Sequence, residues 1–414
     1  MILNRKKLND YFSILLLVFG FVNTSILPGF LAPVSILLLI YVAVSILILL
    51  RTGYLVVGNG INWAIFFILI WASLVSIFTI KDISQLSYYI IFLTNFLTVY
   101  FLSVTEINYT RMLRWLSFLF FFSLLIGLFE NLTGLHLPNS RHYDYSFYYS
   151  DPSIPTGTFY NENNYASITS IGAALFFARA FFENKLLFKV FYCILYITSI
   201  YIVLSTGSRI NSAMVFLPIF LFSIRFINLS LSNRFSFKLR KILFYSMFVF
   251  LLSFSFVVSY GMIEVLFNQI TAADSADLIR FELARLGFDI LVNSYYLGSG
   301  PMAFELTCFG SSAYANGGIC SPHNWLIELG ANFGAISIIC QIYIYIYLGF
   351  YFFNKFVFEG VSSNSGVLFL TFSSVIPVVF STGISISSII NFPVVWVMLS
   401  LANNISNYRG GKFD

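Results

Sequence analysis

The chain has 414 residues, of which 59% are hydrophobic and 9% charged, with a formal net charge of +5. Soluble domains average roughly 45–50% apolar and about 25% charged residues, so water is excluded as the main solvent and a lipid bilayer is required. Continuous apolar runs exclude a membrane barrel, whose strands alternate, and basic residues scattered as short clusters leave no face for nucleic acid. The expected fold class is all-α, a polytopic integral membrane helical bundle forming one domain over residues 1–414.

Arg5, Lys6 and Lys7 precede the first apolar stretch, and no small-residue cleavage site follows, so a retained first helix is expected. Windows of about 20 apolar residues predict about twelve spans. They cover 11–27, 31–50, 62–80, 86–104, 112–129, 163–182, 187–205, 210–227, 241–262, 325–353, 366–383 and 386–403. The first pair, divided only by Leu27, Pro28 and Gly29, and the last pair, divided around Ser381–Ser385, each admit a second reading as a re-entrant unit.

Sidedness follows from Lys and Arg in alternate loops. With the N-terminus inside, Arg5, Lys6, Lys7, Arg51, Arg111, Arg114, Lys185, Lys189, Arg225, Arg234, Lys238, Arg240, Lys241, Lys355, Arg409 and Lys412 fall on the cytoplasmic side. Lys81, Arg141, Arg209, Arg280 and Arg285 fall outside, and Arg179 is expected to snorkel from the inner end of its helix. Both termini are therefore expected in the cytoplasm. Two long loops then face outward, 130–162 and 263–324, and loops of such length are commonly functional or disordered. In the second, residues 277–292 place Leu278, Phe281, Arg285, Phe288 and Val292 at helical spacing, flanked by Leu286 and Ile290. This pattern predicts an amphipathic helix on the membrane surface.

Three stretches at outer helix ends break the apolar background. STGSRINSA (205–213) sets Arg209 at a span junction, where a membrane-level arginine reads as functional. IRFELARLGFDILVNSYYLGSGPMAF (279–304) carries Arg280 and Arg285 and ends in a Gly-Ser-Gly-Pro turn. SPHNWLIELGANFGAISII (321–339) opens a span with His323, between Pro322 and Asn324. A fourth stretch, GTFYNENNYA (157–166), precedes the sixth span.

In their order and sidedness, over roughly residues 155–355, these motifs resemble the O-antigen ligase and polymerase superfamily of bacterial surface-polysaccharide assembly. The chain departs from the pattern at Ile210, where many members carry a small residue after the arginine. The resemblance implies a multi-pass bacterial inner-membrane glycosyltransferase, inverting and metal-independent, with membrane lipid around it. Its donor would be an undecaprenyl-pyrophosphate-linked glycan, and its further partner a chain-length regulator protein. Arg209, Arg280 and Arg285 would bind the pyrophosphate through planar, permanently charged forks, and His323 would accept the acceptor hydroxyl's proton. GTFYNENNYA points to a polymerase. The alternatives are a ligase that transfers glycan to the lipid A core, and a lipid-linked oligosaccharide flippase.

No cofactor or metal is expected: the outer acids Asp274, Asp277, Asp289 and Glu305 are dispersed, and His136 and His142 lie in a loop without helical ligand spacing. Tyr143, Tyr145, Phe147, Tyr148 and Tyr149 offer faces for sugar stacking or for the membrane interface. Cys193 and Cys340 lie in apolar segments and read as packing. Cys308 and Cys320 share the outer loop, where an oxidising compartment permits a disulfide that spacing alone does not decide.

Overall fold

The computed structural model describes residues 33–52, 59–105, 107–143, 153–232, 275–310, 324–359, 363–385, 389–390 and 392–407, with isolated residues between them. For 275–280 it describes the backbone course alone. Among these residues every regular element is helical: α1 (Pro33–Thr52), α2 (Gly60–Thr79), α3 (Ile83–Ser103), α4 (Tyr109–Thr133), α5 (Glu162–Phe182), α6 (Leu186–Ser205), α7 (Arg209–Met214), α8 (Leu217–Leu231), α9 (Ser275–Asn293), α10 (Ala303–Phe309), α11 (Trp325–Val357), α12 (Ser363–Ser385) and α13 (Pro393–Asn407).

Among the described residues eight stretches are long and apolar enough to cross a membrane: α2 to α6, the joined α7–α8, α11 and α12. The chain is a multi-pass helical membrane protein. Several helices start at an Asn or Asp whose side chain accepts an orphan backbone N–H. Asn59 serves Asn62, Asp82 serves Gln85, Asn108 serves Arg111 and Asn324 serves Leu326 and Ile327.

α12 is the central helix, with 94% of its spanning window buried. α5 and α11 flank it, and α6 packs on α5 while turning Leu186, Leu187, Ile194, Ile197 and Tyr201 outward as a lipid-facing side. Cys340 is half-buried and packs against the core as expected, whereas Cys193 lies on that exposed side. α3 packs on α13, and α2 on α11. Amides bind helices across the apolar interior, where no water competes: Asn95 Nδ2 donates to Ile390 O at 2.8 Å, and Asn404 Nδ2 to Leu102 O at 2.6 Å.

Two expected spans change. The predicted spans 11–27 and 241–262 lie almost wholly outside the described residues. The last predicted span, 386–403, is replaced by a shorter helix. α13 has 15 residues, a length of about 22 Å against a hydrocarbon core of about 30 Å. The link before it is held by Asn95, midway along α3, and by Trp396 Nε1, which donates to Ile389 O at 2.9 Å. The long span 325–353 is two half-helices. Gly334 has φ 78° and ψ 179°, a conformation outside the helix. A side-chain carbon at Gly330 would lie 2.5 Å from Ile338 Cδ1, two positions that a straight helix separates by about 12 Å along its axis. The second half, 335–357, is about 34 Å long and spans the bilayer by itself. The first half, 325–333, is surplus to that need.

The two ends of the bundle are defined by hydrogen bonds. Arg225 near the end of α8 donates to Phe356 O and Glu359 O, and Asn228 Nδ2 donates to Val357 O at 2.9 Å. The ends of α8 and α11 therefore coincide, which brings the start of α7 and the start of α11 to the opposite end together. The end of α4, the start of α5 and the α9–α10 unit lie at that same end.

Candidate functional site

The break in α11 is filled by the segment between α9 and α10. Ser299 N–H donates to Ala331 O at 2.9 Å and Gly300 N–H to Asn332 O at 2.8 Å, while Ala335 N–H donates to Tyr296 O at 2.9 Å. These bonds replace those that the interrupted helix forfeits, as irregular backbone packed within a membrane protein requires. The approach leaves no room for side chains. A carbon on Gly298 would lie 2.6 Å from Gly334 N, and one on Gly334 would lie 2.4 Å from Leu297 O. Tyr295, Tyr296 and Met302 adopt positive φ without being glycine, so the segment carries backbone strain that its surroundings must hold. Trp71 Nε1 of α2 supports it, donating to Leu297 O at 3.2 Å.

Polar side chains converge on the same break. Tyr88 of α3 donates its hydroxyl hydrogen to Glu328 Oε1 at 2.6 Å and accepts from Asn332 Nδ2 at 2.9 Å. Asn332 Oδ1 in turn accepts the Phe304 N–H at 3.1 Å, at the start of α10. Glu328 and Asn332 are fully buried. Glu305, on α10, lies within electrostatic range of the same Tyr88 hydroxyl. Burial pushes its carboxyl from 4.5 up to about 7, so it titrates near neutrality.

α9 forms where the period predicted a helix, with the same register but two occupied faces. Leu283, Ile290 and Leu291 are buried, with Leu286 beside them, and Gly287 lies against Ile327 of the half-helix. The predicted stripe of Phe281, Arg285, Phe288 and Val292 is the exposed face. Cys308 and Cys320 are joined as a disulfide with a Cα–Cα distance of 5.6 Å. The bridge ties Cys320, four residues before the cap Asn324, to the small core of Leu283, Ile290, Phe304, Cys308 and Ala331.

Arg209 is the first residue of α7 and is exposed. The turn before it uses Gly207 at φ 69°. Asn211 Nδ2 ties the turn down, donating to Ser208 Oγ at 3.0 Å and to Ser167 Oγ of α5 at 3.1 Å. Ile210, the departure from the resembled pattern, is buried and serves packing there. Arg280 and Arg285 ride on α9, Arg285 being exposed. The arginines thus share one end of the bundle while resting on separate supports, α5 for Arg209 and α11 for α9. His323 lies outside the described residues; its neighbour Asn324 caps the half-helix.

The first outer loop contains a charged cluster that sequence reading passed over. His136 and His142, expected in an open loop, are buried with rings 5.5 Å apart. His136 Nδ1 lies 3.6 Å from Glu130 Oε1 and His142 Nε2 lies 3.5 Å from Glu162 Oε2, while Arg141 pairs with Glu162. Glu130 also accepts N–H bonds from Thr156 and Gly157 at 2.8 and 2.6 Å, which closes the loop onto the end of α4. Burial depresses the His142 imidazole below its ordinary value, opposed by the Glu162 carboxylate. The GTFYNENNYA stretch supplies Glu162, the cap Asn161, and Phe159, whose ring meets Phe392 at 5.6 Å. Tyr143 is exposed. Tyr145, Phe147, Tyr148 and Tyr149 lie outside the described residues. Among the described residues no group of three or more His, Cys, Asp or Glu is arranged to hold a metal ion.

No family model matches the chain. It is similar to the teichuronic acid biosynthesis protein TuaE of Bacillus subtilis (strain 168), with 24% identity over 294 residues that cover 68% of this chain and 57% of that protein. The chain therefore spans less than two thirds of the length of this relative.

Proposed function

We propose that this chain acts in surface-polysaccharide biosynthesis as a polymerase of O-antigen or capsule type. It joins undecaprenyl-pyrophosphate-linked repeat units on the outer face of the bacterial cytoplasmic membrane. The observation that carries the reading is the gathering, at one end of a membrane bundle, of the Arg209 turn, the arginine-bearing α9 and the start of α11. The similarity to a teichuronic acid biosynthesis protein supports the substrate class. The Cys308–Cys320 bridge supports an outward orientation of that end, since such bonds persist in oxidising compartments. Both termini then lie in the cytoplasm, as the basic loops require.

In this reading a donor anchored by its lipid presents an anionic pyrophosphate at headgroup level. The guanidiniums of Arg209, Arg280 and Arg285 bind its oxygens and stabilise the charge that grows on it as the glycosidic bond breaks. The acceptor hydroxyl oxygen bonds to the anomeric carbon from the opposite face. His323 takes the hydroxyl proton, and undecaprenyl pyrophosphate leaves with the bonding electron pair. No step uses a metal, so transfer persists in a chelator.

The test is a silver-stained gel of surface polysaccharide from a deletion strain complemented with wild type, His323→Ala or Arg280→Ala. Deletion should leave single repeat units on the lipid core, and neither variant should restore the ladder at normal protein level. Full ladders from both variants would remove these residues from the chemistry. Polymer that accumulates on undecaprenyl pyrophosphate and never reaches the core would identify the ligase alternative instead.

A further inference from the structure

The half-helix 325–333 has no spanning task, yet it is held more elaborately than any other outer segment described. Three elements meet on it. α9 rests along it, Gly287 against Ile327 and Leu291 against Gly330. The strained 294–302 segment completes its broken hydrogen bonds. From the opposite side, Tyr88 joins its two buried polar residues with one hydroxyl, donating to Glu328 and accepting from Asn332, whose amide oxygen receives the first turn of α10.

A buried hydroxyl that donates at 2.6 Å and accepts at 2.9 Å leaves its partners one mutual arrangement. The packing around it is apolar and would tolerate sliding: Phe333 meets Phe92 with ring centroids 4.3 Å apart, and Trp325 meets Trp396 edge-on at 5.8 Å. Apolar contacts are non-directional, so the register of the half-helix is decided by its directional bonds: those of the 294–302 backbone to Ala331 and Asn332 at its end, and those of Tyr88 to Glu328 and Asn332 across it.

We propose that Tyr88 is a positioning residue for the transfer reaction. It locks the half-helix 325–333 in register, and through Asn332 and α9 it sets Arg285 relative to the start of α11. The consequence for transfer rests on the polymerase reading; the clamp itself does not.

The experiment uses full-length protein in membranes and carries two readouts. Gly287→Cys with Ile327→Cys places two thiols at a contact between α9 and the half-helix, so mild oxidation reports their register. Transfer is followed with undecaprenyl pyrophosphate carrying the host's own repeat unit. Tyr88→Phe removes the hydroxyl and keeps the ring. It should lower the cross-link yield several-fold and kcat on the order of 10- to 100-fold, the cost of a misplacement near 1 Å, with the donor KM and the Cys308–Cys320 bridge little changed. Glu328→Gln keeps an acceptor oxygen for Tyr88 and should retain the cross-link.

An unchanged cross-link in Tyr88→Phe overturns the clamp. A weakened cross-link with normal transfer overturns the positioning role. Loss of transfer in Glu328→Gln with the cross-link intact means that the carboxylate's charge, not its register, is what transfer needs, and also overturns the proposal. If wild-type membranes transfer nothing while the Arg280→Ala and His323→Ala strains keep their ladders, the polymerase reading fails and the cross-link still decides the clamp.

Discussion

At the scale of single residues, carboxyls buried near the α9–α10 end of the bundle carry the most unusual chemistry. Glu305 is held protonated by burial up to about pH 7 against an ordinary 4.5. Between these two values the folded chain binds more protons than the unfolded one at this site, so stability falls as pH rises through that window. Thermal unfolding in detergent should show this fall from pH 4.5 to about 7 in wild type. Glu305→Gln should flatten the site's share of it and be the more stable protein above pH 7; a slope unchanged by the substitution would mean other groups set the pH response. Glu305 was visible in the sequence only as one dispersed outer acid, because its burial depends on α10, which is placed by Asn332. Glu328 was passed over in the sequence. An acid inside an apolar helix is costly unless it is partnered, which marks it for a role, but its partner Tyr88 is distant in sequence and only folding identifies it.

At the scale of elements, the feature that organises the site is the interruption of α11. Alanine at Gly334 would meet Leu297 O at 2.4 Å and must adopt φ 78°. The left-handed conformation alone costs roughly 1–2 kcal/mol, and the backbone clash adds to it. Gly334→Ala should therefore destabilise the protein by more than that figure, whereas Gly310→Ala, at an open position 3.8 Å from its nearest neighbour, should be close to neutral. Comparable midpoints for the two variants would argue that the break is not enforced by this contact. Hydropathy reads 325–353 as one span because the break costs no apolar residue; only the Gly-Ser-Gly-Pro turn hinted that backbone would approach backbone. The loop cluster of Glu130, His136, His142, Arg141 and Glu162 escaped detection for a related reason. Its members come from α4, the loop and α5, with no recurring interval between them.

At the scale of the whole molecule, a multi-pass bundle is loaded asymmetrically. One end ties α8 to α11 through Arg225 and Asn228. The other collects the arginines, the buried acids and a disulfide. The bridge closes a loop with a sequence separation of 12, for which chain entropy predicts about 3 kcal/mol. Cys320→Ser should lower stability by roughly that amount and expose Cys308 to thiol reagents. In wild type, both cysteines should react with a membrane-impermeant maleimide added to intact cells only after reduction. Labelling that requires cell lysis would reverse the orientation argued from the basic loops.

The membrane class, eight of the twelve predicted spans and the helix at 277–292 follow from the sequence alone. Each rests on local composition and period, which every residue expresses through its neighbours in the chain. The shortened last helix, the divided α11, the burial of His136 and His142, the Cys308–Cys320 pairing and the partners of Tyr88 belong to the tertiary structure. Each depends on a contact between residues distant in the chain. In a lipid solvent the apolar pattern says which segments enter the bilayer but not how far, and the register between them is set by the few buried polar groups that must find one another.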